Sequence, residues 1–150
     1  MSGSVRSRIA RVWCVPAAVV LLIAGSARAR TVRVQFESGS AALTRPSEQV
    51  LADVGAELVE VIAPEPGAGL RVTGHTDNVG DREMNLDLSR KRAEAVREFL
   101  IGRFKLASLS LVAVGAGPDK PVASHETDDG KRQNRRVELE IVMPPGREPD

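Results

Sequence analysis

The 150-residue chain has no tyrosine, one tryptophan, three phenylalanines, one cysteine and two histidines, and each shortage excludes something. Trp13 and Cys14 both fall within the first thirty residues, so the remainder can hold neither a disulfide nor a thiolate metal site. Cys14 precedes the apolar run Val12–Ala24 almost entirely, whereas a lipid-acceptor cysteine follows such a run, so no lipid attachment is expected. Past residue 30 the only aromatics are Phe36, Phe99 and Phe104, too few to interleave with a basic stripe for nucleic-acid binding. Long apolar runs are missing too. Val12–Ala24 is 13 residues, interrupted by Pro16, against the roughly 20 that a spanning helix needs.

What the first thirty residues do contain is a leader pattern. Arg6, Arg8 and Arg11 precede or open the apolar run, and Ala27-Arg28-Ala29 places small residues at the two positions a signal peptidase reads. The expectation is a signal peptide over residues 1–29 and an exported chain from Arg30. The alternative is an uncleaved inner-membrane tether. The leader carries four arginines and no acid, which leaves 17 of the 21 basic residues against 20 acidic ones. The net charge beyond it is therefore about −3, opposite in sign to what a nucleic acid attracts.

Periodicity then orders the rest. Thr31–Phe36 alternates, with Val32, Val34 and Phe36 on one face, and predicts a strand. Thr44 is placed to cap a helix that tolerates Pro46 in its first turn and keeps Val50, Leu51, Val54, Leu58, Val61 and Ile62 at helical spacing. Leu70–Gly74 predicts a second strand, and a helix follows that ends near Phe104. Leu109–Val114 is an almost continuous apolar run, which predicts a strand buried on both faces. Gly115–Arg135 is long for a loop, a length that is usually functional or carries a short helix. Arg136–Ile141 alternates as a last strand, and Met143–Asp150 reads as a tail. The order β-α-β-α-β-β predicts an α+β fold, a mixed sheet with two helices packed on one face. Gly74, Gly80, Gly115 and Gly117 are expected at turns, in positive-φ conformations.

One residue breaks the pattern of the second helix. Leu88, Ala95, Val96 and Phe99 share one side, Arg90, Lys91, Glu94, Arg97 and Glu98 the other, and Arg92 falls by angle on the apolar side. A guanidinium in that position keeps its charge and needs a carboxylate or a ligand that supplies one. Asp77, in the loop before the helix, is the nearest candidate. Asn85, Leu88, Ser89 and Arg92 recur at i, i+3, i+4 and i+7 and so line one helix face, with Asn85 near its start.

Five segments carry a family resemblance: Phe36 at a strand end, Gly74-His75-Thr76-Asp77, Asn85-x-x-Leu88-Ser89-x-x-Arg92-Ala93, Gly115-x-Gly117 and Asn134-Arg135-Arg136-Val137-Glu138. In order and spacing, residues 31–142 resemble the OmpA-like C-terminal domain, the module shared by outer-membrane protein A, the peptidoglycan-associated lipoprotein and the wall-binding subunit of the flagellar stator. The resemblance implies a domain over residues 30–142 that binds peptidoglycan without catalysis, through the diaminopimelate of the stem peptide, in the periplasm or at the outer membrane. It maps Asp77 to the ligand's ammonium, Arg92 to its carboxylate and Asn85 to the opening of the helix motif. Thr76, Leu88, Phe36 and Arg135 complete the candidate set. No cofactor, catalytic residue or metal ligand is implied, and the partners are the wall and an envelope protein. Two departures stand in the long loop: His125 where the family usually has Asn, and Lys131 where it usually has Arg.

The chemistry suits the residues. Diaminopimelate presents an ammonium and a carboxylate on one carbon, and the arginine fork can grip the carboxylate with two parallel hydrogen bonds where lysine offers a point charge. Other readings are less well supplied. His75 and Asp77 form an H-x-D, but His125 is the only other histidine, a thin set for a metal. A wall hydrolase using His75 and Asp77 lacks a nucleophile with a matched base. Asn134-Arg135-Arg136 reads as the solvated start of the last strand, with one arginine reaching toward the ligand loop. The remaining alternative is a protein-interaction module that has lost wall binding, in which Asp77 and Arg92 form a structural salt bridge.

Overall fold

A computed structural model describes residues 32–106 and 110–144, in the order β1 (Val34–Gln35), α1 (Arg45–Ile62), β2 (Gly69–Gly74), α2 (Arg82–Phe104), β3 (Leu111–Gly115), α3 (Asp128–Asn134) and β4 (Arg136–Val142). The leader expected over residues 1–29, the start of the third strand at Leu109 and the tail from residue 145 lie outside the described residues. The four strands form one mixed sheet in the order β1-β4-β2-β3, with β2 and β3 parallel and the other pairs antiparallel. This is the α+β sandwich that the pattern predicts, with α3 as the short helix inside the long connection.

Local chemistry sets the helix boundaries. The Thr44 hydroxyl accepts from the Ser47 amide at 3.3 Å, which caps α1 one turn ahead of its apolar stripe. Asp81 does the same for α2, accepting from the Glu83 and Met84 amides at 2.9 and 3.1 Å. Lys105 leaves α2 in a left-handed conformation, φ 53°. Leu51 and Leu58 of α1, Val96 and Leu100 of α2, and Val34, Phe36, Val72, Val137 and Leu139 of the sheet form one buried cluster. Register explains why these sheet residues share a face: Val72 pairs with Leu139, and Val137 pairs with both Gly74 and Val34.

Three sequence expectations change. β3 is not buried on both faces: Leu111 is buried, but Val112 and Val114 are 55% and 39% exposed. The strand is an edge and the main helices cover only one side of the sheet, so its alternate residues meet solvent. β1 pairs at Val34 and Gln35 alone, although Val32, Val34 and Phe36 are buried as their alternation predicts. Gly74 and Gly115 lie within strands rather than at positive-φ turns, unlike Gly80 and Gly117. Their reason is proximity. A Cβ on Gly74 would overlap the Ser89 carbonyl, and one on Gly115 would sit 2.7 Å from the Ser89 hydroxyl oxygen.

The sheet's other face carries a buried polar cluster where the long connection folds over it. Arg136 donates to Glu138 Oε1 at 2.8 Å and to the Lys120 carbonyl at 3.0 Å, and it is 2% exposed. His75 Nε2 lies 3.4 Å from Glu138 Oε2, near enough for an ionic contact but without the geometry of a hydrogen bond. Asn134, fully buried, accepts from the Val122 and Ala123 amides and donates to the Ala123 carbonyl. Asn134 and Arg136 are thus not solvated, as expected of a strand start, because residues 120–123 close over them.

Two outcomes follow from this packing. Gly74→Ala forces β2 away from α2 and should lower stability by about 2–3 kcal/mol, measured by urea denaturation. The His75 imidazole and the Arg136 guanidinium hold the Glu138 carboxyl at about 2, against partial burial that raises it. A carboxyl depressed in the fold contributes stability that is complete above its unfolded value and is lost as pH falls through the folded one. Thermal stability should therefore drop between about pH 4.5 and pH 2, and Glu138→Gln should flatten that part of the profile.

Candidate functional site

The buried stripe of α2 changes character along its length. Asn85, Ser89 and Arg92 are buried in its N-terminal half, and Ala93, Val96 and Leu100 continue toward the C-terminus. The apolar half joins the core. The polar half faces the end of β2, where Gly74 admits the helix backbone and His75, Thr76 and Asp77 leave the strand.

Arg92 has no exposed surface. Its Nε donates to the Ser40 carbonyl at 2.8 Å, one terminal nitrogen to the His75 carbonyl at 3.0 Å and the other to the Glu37 carbonyl at 2.9 Å. Its guanidinium carbon lies 5.2 Å from the centre of the Phe36 ring, a cation–π distance. Burial pushes the Arg92 pKa down to about 10, with Asp77 opposing the shift and Arg135 adding to it, so the group is a cation at neutral pH.

Asp77 is 6% exposed and has different partners. One oxygen accepts from the Val79 amide at 3.1 Å, and the other accepts from Arg135 at 3.0 Å. Arg135 also donates through Nε to the Phe36 carbonyl at 3.2 Å. Arg92 thus does not take Asp77, the nearest candidate in the sequence, as its partner, and the structural salt bridge of the alternative reading is not formed. Arg92 is answered by three main-chain carbonyls, whose combined dipoles do for the charge what one carboxylate would, and Asp77 is answered by Arg135.

The remaining candidates converge on the same place. Asn85 donates to the Val79 carbonyl at 2.9 Å and so pins the 77–81 turn to the helix. The Ser89 hydroxyl donates to the Leu86 carbonyl at 2.7 Å and accepts from the Gly117 amide at 2.9 Å. Thr76 is buried, and its hydroxyl has no hydrogen-bond partner among the described residues, an uncommon state for a buried polar group. Leu88 is half-buried and lines a cleft of about 560 Å³ with Gly39, Val79, Met84, Asn85 and Lys91. A second cleft, about 350 Å³, has Phe36 and Arg135 in its wall. The Glu37–Ser40 segment, tied down by Arg92, contributes Glu37 to one cleft and Gly39 to the other.

Asp77, Arg92, Asn85, Thr76, Leu88, Phe36 and Arg135 are thus brought to one end of the sheet. His125 and Lys131 stand one layer back. His125 Nδ1 meets Asn134 Nδ2 at 3.1 Å, and the Lys131 carbonyl accepts from the Arg135 amide at 3.1 Å, so both brace the segment that delivers Arg135. The carbonyls of Glu37, Ser40 and His75 had no signal in the sequence, since every residue carries one. The position of Arg92 on an apolar stripe did signal that something buried would have to meet it.

Comparison with known proteins agrees with this architecture. Residues 35–135 match the OmpA family. The chain is 36% identical over 114 residues to outer membrane porin F of Pseudomonas aeruginosa, covering 75% of this chain and 32% of the porin. It is 38% identical over 76 residues to the peptidoglycan-binding protein ArfA of Mycobacterium tuberculosis, covering 51% of this chain and 23% of ArfA. The chain therefore spans a third or less of the length of these two curated relatives. The crystal structure of the peptidoglycan-associated lipoprotein from Burkholderia pseudomallei superimposes with a TM-score of 0.64 at 30% identity, covering 73% of this chain and 89% of that one. On the residues matched and the fold shared, the chain belongs to the OmpA family.

Proposed function

We propose that this domain binds peptidoglycan without catalysis, through the diaminopimelate of the stem peptide, at the wall of the periplasm or outer envelope. Family membership and a relative named for peptidoglycan binding support association with the wall. The diaminopimelate assignment rests on one observation: two guanidiniums, Arg92 and Arg135, lie near the single carboxylate of Asp77, which pairs with Arg135 and not with Arg92, in a largely buried site. That leaves an excess of positive charge, which favours an added carboxylate. Asp77 still has lone pairs for a donor beyond the two it holds, since a carboxylate accepts about four hydrogen bonds.

In this reading the ligand's ammonium meets Asp77 and the adjacent Thr76 hydroxyl. Its carboxylate takes the N–H groups of Arg92 that the chain does not use; three of about five donors are engaged. Because Arg92 is fully buried, the carboxylate reaches it by displacing part of the Glu37–Ser40 segment, whose residues 37–39 are exposed. Asn85 and Leu88 line the cleft beside that segment. Affinity per domain is modest in such a design, and the polymer supplies many sites for rebinding.

The test is a sacculus pull-down of the full chain with free diaminopimelate as competitor. Asp77→Asn keeps the shape and the acceptor for Val79 but removes the anion, and it should weaken binding at least tenfold while circular dichroism stays native. Arg92→Lys keeps a charge but not the fork, and it should weaken binding by a similar factor with some loss of thermal stability. Sacculi with lysine in place of diaminopimelate lack the carboxylate that Arg92 pairs with, and they should retain less protein. Equal sedimentation of wild type and Asp77→Asn would make the cluster structural and favour a protein-interaction module.

A further inference from the structure

The two clefts that flank the Glu37–Ser40 segment differ in charge. The one beside Leu88 is lined by Asp81, Glu83 and Asp87 against a single Lys91. The other, between β1 and the start of α1, is lined by Arg33, Arg132 and Arg135 against a single Glu37. This cationic cluster stands on a chain that is net negative beyond residue 30, so it is not a sample of a generally basic surface.

Its arginines are unequally committed. Arg135 is held by Asp77 and the Phe36 carbonyl. Arg132 pairs with Asp129 at 2.7 Å, but both side chains are more than half exposed, and a pair of that kind contributes little and is readily exchanged. Arg33 has no hydrogen-bond or ion-pair partner among the described residues. The hydroxyls nearby are taken up inside the wall: Ser47 donates to the Gln35 carbonyl at 2.9 Å and lies 3.0 Å from the Thr44 hydroxyl. Arg33 is therefore the unpaired cation of the cleft among the described residues and Arg132 an exchangeable one, and Arg135 joins the cleft to the Asp77 site.

We infer that the Arg33/Arg132 cleft is a second anion subsite of the wall-binding site, one that takes the free α-carboxylate of the D-isoglutamyl residue next to diaminopimelate in the stem peptide. The inference rests on the peptidoglycan reading above. In that peptide the isoglutamyl residue is linked through its γ-carboxyl, which leaves its α-carboxylate one residue from the diaminopimelate, toward the glycan. The acidic cleft repels that group and the cationic cleft attracts it. The charge difference across the segment therefore sets the direction in which the stem peptide lies, with its glycan end toward β1. It also makes the domain sensitive to amidation: converting isoglutamate to isoglutamine removes the charge that Arg33 and Arg132 meet.

The test titrates the full chain calorimetrically with two muramyl tripeptides that share diaminopimelate and differ only in isoglutamate or isoglutamine. Wild type should bind the isoglutamate form about tenfold more tightly, the worth of one charge-assisted contact in a half-open cleft. In the Arg33→Gln/Arg132→Gln double variant that ratio should fall to about one, the loss falling mainly on the isoglutamate form. Equal affinity of wild type for the two tripeptides, or a ratio that survives in the double variant, overturns the subsite and leaves the diaminopimelate site standing. Absence of binding to both tripeptides by folded wild type overturns the diaminopimelate reading itself, and the subsite with it.

Discussion

Arg92 carries a charge that it does not lose at neutral pH into a position with no solvent, and three stretches of chain are arranged around that requirement. The carbonyls of Glu37 and Ser40 come from the connection after β1, the carbonyl of His75 from the end of β2, and the arginine itself from the middle of α2. The ring of Phe36 covers the guanidinium at 5.2 Å. An unpaired buried cation is among the costliest features a fold can hold, so these contacts act together and remove the freedom of a loop that would otherwise be held by little. The closure of that loop over the site is a consequence of satisfying one side chain.

The same helix serves core and site because its buried stripe is divided. Val96 and Leu100 lie in the apolar cluster, while Asn85, Ser89 and Arg92 meet the exit of β2. Close approach makes this possible: Gly74 and Gly115 present no side chain where the backbone and hydroxyl of Ser89 come nearest. With a larger residue at either position the polar half of α2 would stand farther from Asp77 and Thr76. The carboxylate, the Thr76 hydroxyl and the arginines would then no longer come together at one end of the sheet.

Electrostatic order extends beyond the pocket. Arg136, Glu138 and His75 form a second buried polar group on the opposite face of the sheet, closed over by residues 120–123, with Arg136 bound to the Lys120 carbonyl. His75 connects the two, since its carbonyl faces Arg92 and its ring faces Glu138. Asn134 ties the covering loop down and is followed directly by Arg135, which reaches Asp77. The motif Asn134-Arg135-Arg136 therefore sends successive side chains to the loop, the site and the outer face as the chain passes from the end of α3 into β4.

Much of this was legible in the residues. Alternation placed Val32, Val34 and Phe36 on the core face, and capping chemistry at Thr44 marked the start of α1. The angle of Arg92 on its helix announced a buried charge, and motif spacing collected Asp77, Asn85, Arg92 and Arg135. An apolar run, however, does not say which strand is an edge. β3 exposes Val112 and Val114 because strand order, a long-range outcome, put it there. Nor does a sequence say which acceptor a buried arginine will find. Carboxylates are visible as letters and main-chain carbonyls are not, so Asp77 is the nearest partner a sequence offers, while folding brought the carbonyls of residues 37, 40 and 75 to Arg92 and gave Asp77 to Arg135. The sequence by itself determined the elements, the core face and the need for a buried counter-charge, because those depend on periodicity and on the fixed chemistry of side chains. The tertiary structure decided the pairing, because pairing depends on where the backbone goes.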